Sequence, residues 1–125
     1  MLNDILLIIG SVIIIGWGIG HLKPTRNIVG GFGELSADNL RLLTMEWIAE
    51  GLTLIFIGVL VLLVTLLSWS KDPTAIIVYL ASAGFLVILA ILSQLTGART
   101  AVIPMRLCPF VKTGVALLFF LASVL

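Results

Sequence analysis

Two glutamates four residues apart, Glu46 and Glu50, are the side chains best placed for chemistry in this 125-residue chain. They sit where SADNLRLLTMEWIAEG changes to LTLIFIGVLVLLVTLLSW. On a helix, that spacing puts both carboxylates on one face. Such a pair can share a proton, which would make an acid/base couple with His21 as a titrating partner. Carboxylates are costly in hydrocarbon, so two of them on a membrane helix need a reason. One reason is an ion-pair cluster that fixes helix registry. The other is a polar pocket at one end of a bundle.

The remaining polar groups narrow the chemistry. His21, Gln94, Arg99, Arg106, Cys108 and Lys112 all fall near the ends of apolar segments on the same side as the glutamates. The expected ligand-binding set is therefore His21, Glu46, Glu50, Gln94, Arg99, Arg106 and Lys112, with Glu46, Glu50 and His21 as the catalytic candidates. No metal is expected. Glu46 and Glu50 offer two oxygens, but there is only one histidine and no ExxH from a facing helix. Cys108 precedes Pro109, with Arg106 and Lys112 near it, a setting that can activate a thiol. As the only cysteine it cannot close an intrachain disulfide, and it reads more simply as a small packed residue. The GGFG at residues 30–33 lacks a following GK[ST] and is not a P-loop.

These groups must be positioned by membrane helices. The chain is 61% hydrophobic and 10% charged, with a mean hydropathy of +1.30. A soluble domain is closer to half apolar and a quarter charged, so the bilayer is the expected solvent. A net charge of +1 argues against a nucleic-acid partner. The sequence predicts one all-α transmembrane domain over 1–125, an antiparallel four-helix bundle with a long second helix. The helices are expected at about 5–22, 36–69, 74–95 and 109–125. With Asp4 before it and no AxA-like site, the first reads as a retained helix and not a secretory signal. Gly16 and Gly20 form a GxxxG, read as tight packing within the bundle or as a dimer face. Ser36 suits an N-cap, with Asp38 and Arg41 able to pair behind it. The second helix would be roughly 50 Å long and would overhang the ~30 Å hydrocarbon core. Its stripe Asn39, Leu43, Glu46, Glu50, Thr53 and Ile57 should face the bundle. Pro109 suits a first helical position, and Lys112 would then snorkel from the first turn. The last span should bring the C-terminus to the opposite interface.

Lys23, Arg26, Arg41, Arg99, Arg106 and Lys112 lie on the side of the long connections, and only Lys71 lies on the side of the termini. The positive-inside rule then puts loops 23–41 and 96–108 in the cytoplasm and both termini outside. The leading functional expectation is a pocket at the cytoplasmic end that binds a lipid-like or quinone-like molecule or a partner subunit. No resident cofactor is expected, though a quinone or lipid could occupy the pocket. Membrane lipid, a second copy of the chain, or a membrane complex are the expected partners. One alternative is a small membrane enzyme using Glu46 and Glu50 on an amphiphilic substrate. Another is a subunit of an oligomeric transporter or channel.

Over about its first half the chain resembles small DoxX-like four-span membrane proteins. The resemblance rests on Gly16, Gly20, His21 and Lys23, followed by Glu50, Gly51, Leu54 and Gly58. The long polar start LSADNLRLLTMEW departs from that pattern. The resemblance implies a membrane role in redox or quinone-linked processes.

Overall fold

The computed structural model describes all 125 residues. The chain is all-α: α1 (Leu2–Leu22), a short α2 (Thr25–Gly30), a long α3 (Ala37–Leu67), α4 (Pro73–Leu95), a 3₁₀ turn at Gly97–Arg99, and α5 (Ile103–Val124). Four helices, α1, α3, α4 and α5, are long and apolar enough to cross a bilayer. The exposed surface is apolar where these helices run, with Phe56, Ile77 and Phe110 all on the outside. Such a surface needs lipid around it, and the protein is a multi-pass integral membrane protein.

Local chemistry sets where the helices begin. The Ser36 hydroxyl accepts from the Asn39 amide at 3.2 Å and starts α3, with Asp38 and Arg41 paired at 3.6 Å in water behind it. Asp72 caps α4, accepting from the Thr74 amide at 2.8 Å and the Ala75 amide at 3.4 Å, and Pro73 fills the first turn. Both caps satisfy amides that a helix start leaves open. Asp72→Ala should cost about 1 kcal/mol in a thermal melt in detergent, and Asp72→Asn should restore most of it. Between α2 and α3, Gly33 takes φ +78°, where a β-carbon would be strained.

The last helix differs from the sequence expectation. It starts at Ile103, and Pro104 occupies the first turn. Pro109 therefore lies inside the helix, where it leaves the carbonyl four residues back without an amide donor. The six extra residues move Lys112 out of the first turn. Its side chain is fully buried and does not snorkel.

The bundle is antiparallel. Helix α1 packs along both α3 and α5, α4 packs along α5, and α3 meets α4 only sparsely. The core runs through Leu7 and Ile14 of α1, Leu54, Ile57 and Val61 of α3, Tyr79 and Leu86 of α4, and Val115 and Phe119 of α5. Close α1–α3 packing comes from small residues seven apart on each helix. A β-carbon on Gly58 would stand 2.9 Å from the Ser11 carbonyl oxygen, and one on Gly18 would stand 2.9 Å from that of Gly51. In lipid, where apolar burial alone drives little association, such close approach supplies the van der Waals contact. Gly16 and Gly20 do not take part, because nothing lies within 4 Å of a β-carbon on either. They face outward, one step around the helix from the seam. The GxxxG is thus not the tight contact within the bundle.

Helices α3 and α4 are held together near their connecting turn, where the Thr65 and Tyr79 hydroxyls are 3.3 Å apart. Toward the other end, a crevice of about 360 Å³ separates them.

Candidate functional site

Lys112 is the centre of the polar cluster. It comes from the third turn of α5, is 0% exposed, and makes an ion pair with Glu50 of α3. Its ammonium also donates to Ser93 Oγ of α4 at 2.6 Å. Three helices therefore converge on one cation. The pair is asymmetric: the Glu50 side chain is 34% exposed, while its partner has no exposure. A carboxylate offers about four lone-pair positions, and the ammonium occupies only one side of it. The rest of Glu50 faces the α3–α4 crevice.

His21, at the end of α1, is locked to α3. Its Nε2 lies 3.1 Å from the Trp47 carbonyl, and the Trp47 indole N–H donates to the His21 carbonyl at 2.9 Å. The two rings stack at 4.0 Å with 15° between their planes. A ring nitrogen facing a carbonyl must be the donor, so the proton sits on Nε2. Nδ1 is buried and has no partner. Glu50 and Lys112 are both near enough for their charges to act on the ring. In this arrangement His21 is a clamp between α1 and α3 beside the ion pair.

The crevice has unlike walls. Glu46, Glu50 and Thr53 line it on the α3 side, and Phe85, Leu89 and Leu92 on the α4 side. Val29 and Phe32, from the connection after α1, complete its lining. Glu46 is exposed and has no ion-pair partner. Of the two glutamates, only Glu50 is ion-paired, to Lys112. The expected stripe on α3 is therefore only half right. Ile57 is buried, but Asn39 and Glu46 are exposed, because α3 overhangs its neighbours and the crevice leaves this face open. The face that does pack carries Gly51, Leu54, Ile57, Gly58, Val61 and Thr65.

Of the sequence-expected site residues, the fold brings together His21, Glu50 and Lys112, with Glu46 on the crevice rim. Gln94, Arg99 and Arg106 stand apart and are exposed. Gln94 lies in a different groove, on the α4–α5 side with Phe110 and Thr113. The reason is rotational: Ser93 points inward to Lys112, and the next residue is turned about 100° away. Arg99 belongs to the 3₁₀ turn and Arg106 to the exposed face of α5, and neither makes an ion pair. Cys108 is buried in α5, as the sixth residue of that helix, and accepts the Trp17 indole N–H at 3.3 Å. It is packed, not placed at a helix N-terminus.

Sequence reasoning missed Ser93 and the role of Trp47. Ser93 had a signal, since Ser82, Leu86 and Ala90 form a buried stripe at helical spacing that leads to it. For Trp47, nothing local announces a partner 26 residues away. No cluster of three or more metal-ligating side chains is present.

No protein-family model, curated protein or solved structure matches this chain.

Proposed function

We propose that the protein is an amphiphile-binding membrane protein, with the α3–α4 crevice as its site and Glu50 as the polar anchor. One observation carries this reading: the carboxylate that neutralises a fully buried lysine also lines an open crevice whose opposite wall is Phe85, Leu89 and Leu92. A charge inside a membrane bundle usually marks a ligand or ion path. A cavity with a few polar groups on one side and apolar groups on the other suits a molecule with a head and a tail. The DoxX-like resemblance supports the same setting, a small helical protein that handles a lipid-soluble compound.

The crevice lies toward the end of the bundle that carries Lys23, Arg26, Arg41, Arg99 and Arg106, and the positive-inside rule favours a cytoplasmic leaflet for that end, with both termini outside. A ligand would enter sideways from the bilayer, between helices that are not packed together there.

Native mass spectrometry of the protein released from lipid nanodiscs tests the proposal. Ala49 is exposed and lines the crevice, so Ala49→Trp should fill the crevice without crowding the core. Wild type should retain one amphiphile per chain, and Ala49→Trp none. Equal retention by both, or none by either, would refute the site.

A further inference from the structure

The crevice offers hydrogen-bond acceptors and no donor. Thr53 Oγ1 gives its proton to the Ala49 carbonyl at 2.7 Å, so it turns only lone pairs outward. The Trp47 indole N–H, the one other donor among the lining side chains, is committed to the His21 carbonyl. Glu46 and Glu50 are carboxylates and accept only. The Lys112 ammonium is not part of the crevice wall, because Glu50 stands between it and the opening.

Charge gives the same sign. Lys112 balances Glu50, and no cation lies within ion-pair distance of Glu46. One negative charge is left uncompensated on the wall of a cavity whose other side is hydrocarbon. A single cation would balance it.

Resting on the reading of the crevice as an amphiphile site, we infer that its ligand is an ammonium-bearing amphiphile: a cationic group with N–H donors on an apolar body. The free side of the Glu50 carboxylate takes one N–H, with Glu46 and Thr53 beside it, while Lys112 keeps its own bond to Glu50. The tail runs along Phe85, Leu89 and Leu92. A quinone carbonyl or a fatty carboxylate would meet only acceptors here, and burying an unmatched polar group is unfavourable. The same ammonium chemistry is found in a free long-chain amine and in an ethanolamine lipid headgroup.

The test uses nanodiscs of phosphatidylcholine, whose headgroup has no N–H, and four probes of equal chain length: dodecylamine, dodecyltrimethylammonium, dodecanol and dodecanoic acid. Retention is counted by native mass spectrometry. Dodecylamine should be held most tightly, dodecyltrimethylammonium several-fold less, and dodecanoate least. Glu46→Gln is the informative variant. Glu46 is exposed and unpaired, so its loss should leave the fold intact and weaken dodecylamine about five- to tenfold. Adding phosphatidylethanolamine separates the two sources. Displacement of dodecylamine identifies the lipid headgroup and absence of displacement a free amine, and either supports an ammonium ligand. Dodecanoate or dodecanol held as tightly as the amine, and lost in Ala49→Trp, would overturn the ammonium assignment and leave the crevice as a binding site. No retention of any probe would overturn both.

Discussion

Glu50→Leu is expected to lower stability by about 3–5 kcal/mol. The substitution leaves the Lys112 ammonium in the bundle interior with Ser93 as its one remaining acceptor. Breaking a buried pair from one side is costly because the surviving charge has nowhere to go. The reverse change should be milder. Lys112→Met strands Glu50, but that side chain is 34% exposed and can turn into the crevice. Losing its charged hydrogen bond should cost roughly 1.5–3 kcal/mol. Glu50→Leu with Lys112→Met removes both charges and should return to within about 1–2 kcal/mol of wild type. A double-mutant cycle of unfolding free energies in mixed micelles measures the coupling. Additive single effects would mean that the pair does not hold α3 to α5. Because Glu50 serves the fold, it cannot separate a structural role from a binding role. Glu46 can, since it touches only the crevice.

The second large effect concerns the α1–α3 seam. A β-carbon on Gly58 would stand 2.5 Å from Ile15 Cγ1 and 2.8 Å from Ile14 Cγ2, with the Ser11 carbonyl oxygen behind them at 2.9 Å. Isoleucine tips can shift, but a backbone carbonyl moves only with its helix. Gly58→Ala should therefore push α1 from α3 and cost about 1–3 kcal/mol, and Gly58→Leu more. Because the His21–Trp47 clamp bridges the same two helices, its hydrogen bonds should lengthen too. Gly16→Ala is the matched control. With nothing within 4 Å, it should be neutral or slightly stabilising, by about 0.5 kcal/mol. Thermal unfolding in detergent compares the two directly. Equal losses at both positions would show that the seam is not where α1 and α3 approach.

This pair of glycines shows what could be read from the chain. The GxxxG at Gly16 and Gly20 is the visible motif, yet the fold turns it outward. The contact that matters uses Ser11 and Gly18 against Gly51 and Gly58, seven apart on each helix. A glycine has no side chain to give a hydrophobic pattern, so the face it lies on is decided by its neighbours. The site was legible to a similar degree. Glu50, Lys112 and His21 were expected to meet because each sits at the same end of an apolar segment, and buried charges seek partners. Gln94, Arg99 and Arg106 carried the same signal and do not join them. Whether a side chain near a helix end points inward depends on where the helix starts, and α5 starts six residues before the position that Pro109 suggested.

By itself, the amino-acid sequence determined the solvent and the class of fold. Four apolar segments of spanning length can satisfy their backbone groups in hydrocarbon only as helices, and short connections make those helices antiparallel. It also determined that a polar cluster had to exist, because charges that cannot leave the membrane must pair. Only the tertiary structure decided which charges pair, and that α3 and α4 part to leave one carboxylate both buried at its lysine and open to a crevice. Those outcomes follow from the rotation of each helix about its axis and from the small residues that set α1 against α3. Rotation and approach are fixed by contacts between distant segments, and no local pattern encodes them.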